Sequence, residues 1–458
     1  MSATFDVMSP ATGKPVASIP DNGVEDARAA AARAVAAFAT WRRTTAYERS
    51  IVMRAWAAAI LAEEAALGRL MAQEMGKPVT EARGEVKYAV SFVEWYAEEA
   101  KRVYGTTVPS QAAHKRLLVQ PQPVGPVYAI TPWNFPAAMI TRKAAPALAA
   151  GCTVVVKPAE QSPLTAVRLA ELWVAAGGPA DVFQVLPTSD PAAVSRVFFD
   201  DPAIRKLSFT GSTEIGVLLA GQAVKTMKRM SLELGGHAPF LVFGDADVDA
   251  AVKEVFASKF RNAGQTCVCA NRIYVHADVH DRFVERFAKA AAGLRVGDPL
   301  DEATQIGPLV DAQGLAKVRA HVDDALGKGA RAVLGGMPRE GLIFEPTVLT
   351  AVGRGMRILE EETFGPVAPI IPFSEDAEAI RYANDTPFGL AAYLWTRDLS
   401  RAFQVAEALD YGIVGVNDGL PSTAQAPFGG MKMSGVGREG GMWGIAEYLD
   451  VKYVSIGV

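Results

Sequence analysis

Between residues 24 and 75 the chain is rich in alanine, and its Leu, Ile, Met and Trp recur at helical spacing with Arg and Glu between them. That spacing places one apolar stripe on a helix and predicts helices over 24–41 and 46–75, the second stopped by Gly76-Lys77-Pro78. From about residue 117 the period changes. Short apolar runs at 117–120, 127–130, 152–156, 182–186 and 206–209 read as strands. Helical stretches at 136–150, closed by Gly151, and 163–176 alternate with them, and the run at 206–209 passes through Thr210-Gly211-Ser212 into a further helix. A second alternating block runs from about 240 to 416, with helices at 248–261, 279–292, 314–326 and 377–384 and strands at 272–275, 367–371 and 412–416. Strands that alternate with helices imply parallel sheets covered by helices, with ligands at the carboxyl ends of the strands. Two α/β lobes therefore meet near residue 235. The tail, 451–456, reads as an apolar edge strand, equally suited to pairing with a second subunit or to folding back on its own chain.

The chain has 458 residues, 46 Lys+Arg against 50 Asp+Glu and three cysteines. At roughly 100–200 residues per domain this length predicts two to four domains. The charge balance has no basic surplus, which argues against a nucleic-acid binder. No apolar run reaches about 18 residues, so no membrane span is expected. Three cysteines make no disulfide framework, and neither a basic leader nor an apolar signal core opens the chain. The expectation is a cytoplasmic enzyme.

Three motifs carry candidate chemistry. Phe260-Arg-Asn-Ala-Gly-Gln-Thr-Cys-Val-Cys-Ala-Asn-Arg272 places Cys267 in a turn after a helix, where it is either a nucleophile or a small buried apolar residue. With neither a CxxC pair nor a nearby histidine, no metal site is expected. In Met230-Ser-Leu-Glu-Leu-Gly-Gly-His237 an acid ends an apolar strand. Burial would raise the Glu233 carboxyl toward a general base; a structural pairing with lysine is the alternative. In Ile130-Thr-Pro-Trp-Asn-Phe-Pro136 the Asn134 amide is either an oxyanion donor or a helix cap. Phe209-Thr-Gly-Ser-Thr-Glu-Ile-Gly216 is a strand–turn–helix whose helix start suits a pyrophosphate. Val156-Lys-Pro-Ala-Glu160 follows a buried strand, where an acid can accept bonds from a ribose.

Taken together, these segments and Glu361-Glu-Thr-Phe-Gly-Pro366 resemble the aldehyde dehydrogenase superfamily from about Val7 to the C-terminus. Thr131-Pro-Trp-Asn-Phe-Pro with Ala138-Met-Ile-Thr-Arg-Lys143, the Cys267 stretch and Ala426-Pro-Phe-Gly-Gly430 look like the succinate-semialdehyde dehydrogenases. The resemblance implies an α/β fold with a Rossmann-like coenzyme-binding domain (1–104 and 124–235), an α/β catalytic domain (236–432) and a small β oligomerisation arm (105–123 and 433–458). It implies Cys267 as nucleophile, Glu233 as base and Asn134, with the Cys267 N–H, as the oxyanion hole. Lys157 and Glu160 would reach the adenosine ribose, Gly211 and Ser212 the pyrophosphate, Glu362 the nicotinamide ribose and Phe364 the ring. Trp133 and Leu234 would line the coenzyme path. A homodimer or homotetramer is implied, as is a leading hairpin absent or shortened before Val7. His237 stands where relatives often carry Asn or Lys and is given no catalytic role.

The same resemblance maps a carboxylate-binding set onto Arg142, Arg261 and Ser422, the alternative being solvated or salt-bridged arginines. A guanidinium suits a carboxylate because it donates two parallel bonds. The expected substrate is a semialdehyde: succinate semialdehyde first, with glutarate and 2-oxoglutarate semialdehydes or broad aldehyde specificity as alternatives. Glu160 favours NAD, with NADP the alternative, since a carboxylate about 4 Å from a 2′-phosphate costs on the order of 4 kcal/mol at an effective dielectric near 20. Cys269 is a candidate redox partner of Cys267 or simply a packed thiol, and Cys152 reads as core. A coenzyme-A-acylating enzyme is one rival reading, and a cofactor-free thiol hydrolase using Cys267 and Glu233 is another; Glu233 argues against the first and the coenzyme-side residues against the second.

Overall fold

The computed structural model describes residues 3–458. Three sheets of three or more strands, besides a two-stranded hairpin, organise the described residues. The first has six strands in the order Gly435–Val436, Arg229–Glu233, Lys206–Thr210, Val127–Ile130, Val154–Lys157 and Phe183–Val185. All neighbours are parallel except Gly435–Val436, which runs antiparallel to Arg229–Glu233. The second has seven, in the order Arg331–Leu334, Thr347–Thr350, Val367–Phe373, Ala270–His276, Ala238–Val242, Ala391–Trp395 and Ile413–Val416. Only Arg331–Leu334 is antiparallel there. The third is an antiparallel set of Leu449–Gly457, Lys115–Pro123 and Thr106–Val108. The apolar tail thus folds back on its own chain and lies at a sheet edge. Within the two large sheets, Val154–Lys157 and Ala238–Val242 are buried along their whole length. Continuous apolar runs of this kind are what strands covered on both faces require.

The helices follow the apolar stripes with several differences, among them Pro191–Asp200 and Leu399–Ala408, which stand where no helix is predicted. The predicted helix over 46–75 is two, Ala46–Ala62 and Glu64–Met75, because Glu63 leaves helical geometry (φ −100°, ψ 18°). A long helix, Val79–Glu99, begins straight after the Gly76-Lys77-Pro78 stop; its buried face (Val86, Ala89, Val90, Val93, Ala97) keeps helical spacing but was not read from the pattern. The helix predicted over 248–261 ends at Phe260, because Asn262 (φ 52°) and Ala263 (φ 54°) turn left-handed. Each such residue stores roughly 1–3 kcal/mol of strain, which the surrounding packing must offset. Gly264 continues the turn at φ 74°, and a Cβ there would sit 2.1 Å from the Gly365 carbonyl oxygen. A hairpin opens the described residues: Thr4–Met8 pairs with Pro15–Pro20, Thr4 facing Pro20.

Helix Ala138–Ala150 is buried on every side. Its alanines let it nest between helix Val79–Glu99 and the six-stranded sheet. No helix among the described residues is long and apolar enough to cross a membrane. The carboxyl ends of the six-stranded sheet face the turn that enters Ala270–His276, so the two large sheets meet where the sequence places its motifs.

Candidate active site

Cys267 follows the left-handed turn and precedes strand Ala270–His276. Its thiol is half-buried. Burial pushes its pKa up to about 12; Arg142 and Arg261 pull it back, while Glu362 and Glu233 push it further. The resting sulfur is therefore a thiol. Asn134 lies beyond the end of strand Val127–Ile130, and its side-chain amide donates to the Gln265 carbonyl at 3.0 Å. It caps no helix. The first amides of helix Ala138–Ala150 are held by Glu85, whose Oε1 accepts from Ala137 N at 2.9 Å and Ala138 N at 3.2 Å.

Glu233 ends strand Arg229–Glu233, 2% exposed, with neither carboxylate oxygen partnered within the chain. Burial raises its carboxyl well above the ordinary range, and the neighbouring Glu439 charge adds to this; Arg142, Lys143 and Arg438 oppose it. No lysine bonds it. Glu439 instead takes the cations, bridging Arg142 Nε at 2.8 Å and Lys143 Nζ at 2.6 Å. A Cβ on Gly429 would stand 2.9 Å from Glu233 Oε1, so the backbone of the Ala426-Pro-Phe-Gly-Gly430 stretch lies against the carboxylate.

Beside Cys267 opens a cavity of about 350 Å³ lined by Trp133, Asn134, Gly211, Ser212, Leu234, Glu362 and Phe364 as well as Cys267. Ser212 caps helix Thr213–Ala223, its hydroxyl accepting from Ile215 N at 3.5 Å. That helix start presents free amides and the positive end of a dipole. Glu362 Oε1 accepts from Gly236 N at 3.2 Å, and burial lifts its carboxyl to about 7. Phe364 (φ 57°) meets Trp133 edge to face at 5.6 Å. Lys157 ends strand Val154–Lys157 and its ammonium pairs with Glu160, whose side chain is 36% exposed.

Two arginines that act on Cys267 lie outside the lining of this cavity. Arg142 is 2% exposed on the buried helix, its guanidinium 3.9 Å from the Phe428 ring centre, and its Nη2 has no partner. Arg261 lies 5.3 Å from the Phe135 ring centre, and its Nε is likewise unpartnered. The buried Ser422 hydroxyl is a third such atom. Cys269 is wholly buried and its Sγ donates to the Lys259 carbonyl at 3.5 Å.

The model of the aldehyde dehydrogenase family matches residues 1–454. The chain belongs to the aldehyde dehydrogenase family. It is 55% identical over 456 residues to the succinate-semialdehyde dehydrogenase [NADP(+)] of Escherichia coli, covering 99% of this chain and 94% of that one. It is 52% identical to the glutarate-semialdehyde dehydrogenase of Pseudomonas putida, covering 99% and 95%. A crystal structure of an E. coli NADP-dependent enzyme superposes with a TM-score of 0.98 at 54% identity, covering all of this chain and 95% of that one. The fold is the aldehyde dehydrogenase fold, and the protein is an enzyme that oxidises aldehydes with NAD(P).

For an aldehyde dehydrogenase the cavity suits its dinucleotide: a capped helix start for phosphate, two aromatic rings for a flat base and a buried acid for a ribose hydroxyl. Eight of the residues expected from sequence line it, while Glu233, Arg142, Arg261 and Ser422 lie off it and Lys157 and Glu160 lie at the neighbouring strand end. Sequence reading missed several members of the site. Gln313, Gly314 and Lys317 enter the cavity from one face of helix Ala312–Gly327, and Lys317 draws the Glu362 carboxyl downward. Their i, i+1, i+4 spacing was the available signal. Glu439 and Lys143 were missed as a charge pair because they come together only in the tertiary structure.

Proposed function

We propose that the chain oxidises a semialdehyde bearing a distal carboxylate, succinate semialdehyde first and glutarate semialdehyde as the alternative, to the corresponding dicarboxylate. The observation that carries this reading is the trio of unpartnered buried donors, Arg142 Nη2, Arg261 Nε and Ser422 Oγ. Buried donors without acceptors are costly, and an anionic ligand end would satisfy them. The E. coli and P. putida relatives, named for four- and five-carbon semialdehydes, support the same class.

In this reading the coenzyme lies with its pyrophosphate at Gly211 and Ser212, its adenosine ribose near Lys157 and Glu160, and its nicotinamide end by Glu362, Phe364, Trp133 and Leu234. When bound it supplies the hydride acceptor. Cys267 gives its proton to solvent water and attacks the aldehyde carbon, and the Asn134 amide and the Cys267 N–H hold the resulting alkoxide. Loss of hydride leaves an acyl thioester on Cys267. Glu233, whose carboxyl burial holds well above the ordinary range, then takes a proton from the water that hydrolyses it. Family membership leaves no support for the thiol-hydrolase reading.

The six-stranded region is read as the coenzyme domain, the seven-stranded region as the catalytic domain and the three-stranded sheet as an oligomerisation arm. That arm leaves Val451, Tyr453 and Val458 exposed, which supports a homo-oligomer. A cytoplasmic setting suits a mechanism that needs a reduced Cys267. NAD is the coenzyme read as preferred, because an acid at Glu160 beside the adenosine ribose would repel a 2′-phosphate; the E. coli relative, named for NADP(+), does not add support to that preference. NADP saturating more tightly than NAD would reverse that preference.

The test is a kcat/KM panel. Arg142→Ala and Arg261→Ala should each lower kcat/KM for succinate semialdehyde by about 10- to 200-fold, the loss typical of one charged hydrogen-bonding partner. For Arg261→Ala activity on propanal should change far less, whereas Arg142→Ala also removes a charge acting on Glu233 and Cys267 and should lower both substrates. Equal losses on both aldehydes in Arg261→Ala would remove the carboxylate clamp.

A further inference from the structure

Lys77 is almost wholly buried, yet it lies outside the cavity and outside every motif of the mechanism. It follows Gly76, the left-handed cap of helix Glu64–Met75. Its ammonium makes an ion pair with Glu85, donates to the Asn134 main-chain carbonyl at 2.8 Å and sits 3.8 Å from the Phe135 ring centre. Glu85 Oε1 meanwhile accepts from Ala137 N and Ala138 N. The pair therefore grips the segment 134–138 at both ends, by a carbonyl and by a helix start. One helical turn away, Glu81 Oε2 accepts from Asn262 N at 2.8 Å, and the Asn262 side-chain amide donates back to the Asn134 carbonyl at 3.0 Å. Asn262 opens the left-handed turn that delivers Cys267. Lys77, Glu81 and Glu85 thus tie the Asn134 strand end and the Cys267 turn to one rigid element, the helix Val79–Glu99.

We propose that Lys77, paired with Glu85, is a positioning residue for the oxyanion pocket. It fixes the Asn134 main chain so that the Asn134 side-chain amide and the Cys267 N–H converge on one oxygen. This rests on the reading of Asn134 as an oxyanion donor. A buried lysine is an expensive way to fill space: its desolvation must be offset by the acid and the carbonyl it meets, and a methionine would pack the same volume. What the charge adds is direction. It aims one hydrogen bond at the Asn134 carbonyl and holds the Glu85 carboxylate that accepts from Ala137 N and Ala138 N, beside the reacting centre, where a displacement near 1 Å costs about a hundredfold in rate.

The test is a double-mutant cycle on the full enzyme with succinate semialdehyde: Lys77→Met, Asn134→Ala and the two together, with circular dichroism and coenzyme binding as checks of folding. The expected result is a kcat for Lys77→Met about 10- to 100-fold below native, with both KM values within about threefold. In the Asn134→Ala background, Lys77→Met should cost less than about twofold more, because it acts through the group already removed. A merely structural lysine would lower both backgrounds by the same factor. If Lys77→Met does not fold, Lys77→Met/Glu85→Gln, which removes both charges, is judged by the same criterion. Neither variant folding would assign the pair to folding alone and overturn the proposal. An impaired Asn134→Ala enzyme beside a Lys77→Met kcat within about threefold of native, or losses that multiply, would overturn it while leaving the oxyanion reading intact. A fully active Asn134→Ala enzyme would remove both.

Discussion

On the proposed coenzyme side of Cys267 the groups that would face the phosphates are main chain and a small side chain, Gly211 and the amides at the Ser212 cap, set beside the Trp133 and Phe364 rings and the single buried acid Glu362. On the proposed substrate side the groups are buried charges. Glu233, Glu439, Arg142 and Lys143 lie together, each at 4% exposure or less. Main-chain donors are fixed by the strands that carry them and tolerate side-chain change. Buried neighbouring charges set one another's protonation, so any one of them retunes the rest. The two halves should therefore break differently: the charged half in rate and pH dependence, the main-chain half in modest affinity.

The largest effect is expected at Glu233. Glu233→Gln keeps the shape and removes the base. Thioester hydrolysis should slow by about 10²- to 10⁴-fold, the usual worth of general-base catalysis. Acylation needs no such base at that position. Rapid mixing should therefore show a burst of reduced coenzyme stoichiometric with Cys267, followed by near-silence. A steady rate like native, or loss of the burst as well, would take Glu233 out of the deacylation step.

Next comes Glu439→Gln, which probes the coupling within the charged half. Removing one partner of a buried pair leaves Arg142 and Lys143 uncompensated and should cost about 3–5 kcal/mol of stability. Burial pushes the Glu439 carboxyl up, but Lys143 and Arg142 more than offset this and hold it below its ordinary value near 4.5. Its stabilising contribution is thus present above that pH and is lost as the pH falls through the depressed value, a dependence the Gln variant should lack. The kinetic sign is separate. The Glu439 charge helps keep Glu233 protonated, so its removal should move the acid limb of the kcat profile to lower pH. An unmoved limb would show that the two carboxyls do not communicate.

That contrast also explains what could be read from the chain beforehand. Cys267, Asn134, Gly211 and Glu362 sit in short runs next to strand ends, and a parallel α/β pattern already says that ligands gather there. Apolar runs likewise located five of the six strands of the first sheet but only three of the seven in the second. The break at Glu63 carries no Gly or Pro, and Glu63 leaves the helix while paired to Arg168 from another helix. Helix Val79–Glu99 hid behind a stop signal that marks the end of one helix without excluding the start of the next. Lys77, Glu85 and Glu439 look like ordinary surface charges in sequence, because burial and pairing with distant residues exist only after folding. His321 is similar: it bonds Thr363 at 3.2 Å and Glu361 at 3.1 Å behind the Glu362 loop, with nothing local to announce it.

The smallest effect is expected at Ser212, and it tests the main-chain half. Its hydroxyl caps helix Thr213–Ala223 through a long 3.5 Å contact with Ile215 N. Replacing a serine cap by alanine costs about 0.5–2 kcal/mol, and so weak a contact belongs at the low end of that range. The amides that would face a pyrophosphate remain in Ser212→Ala, as does the helix dipole. Coenzyme KM should therefore rise only about two- to fivefold, the kinetic equivalent of roughly 0.5–1 kcal/mol, with kcat and its pH profile unchanged. A rise beyond about twentyfold would mean that the hydroxyl itself binds the coenzyme, well above what the capping contact can supply. A fall in kcat would mean that the helix start is coupled to the charged half, and the division between the two sides of Cys267 would no longer hold.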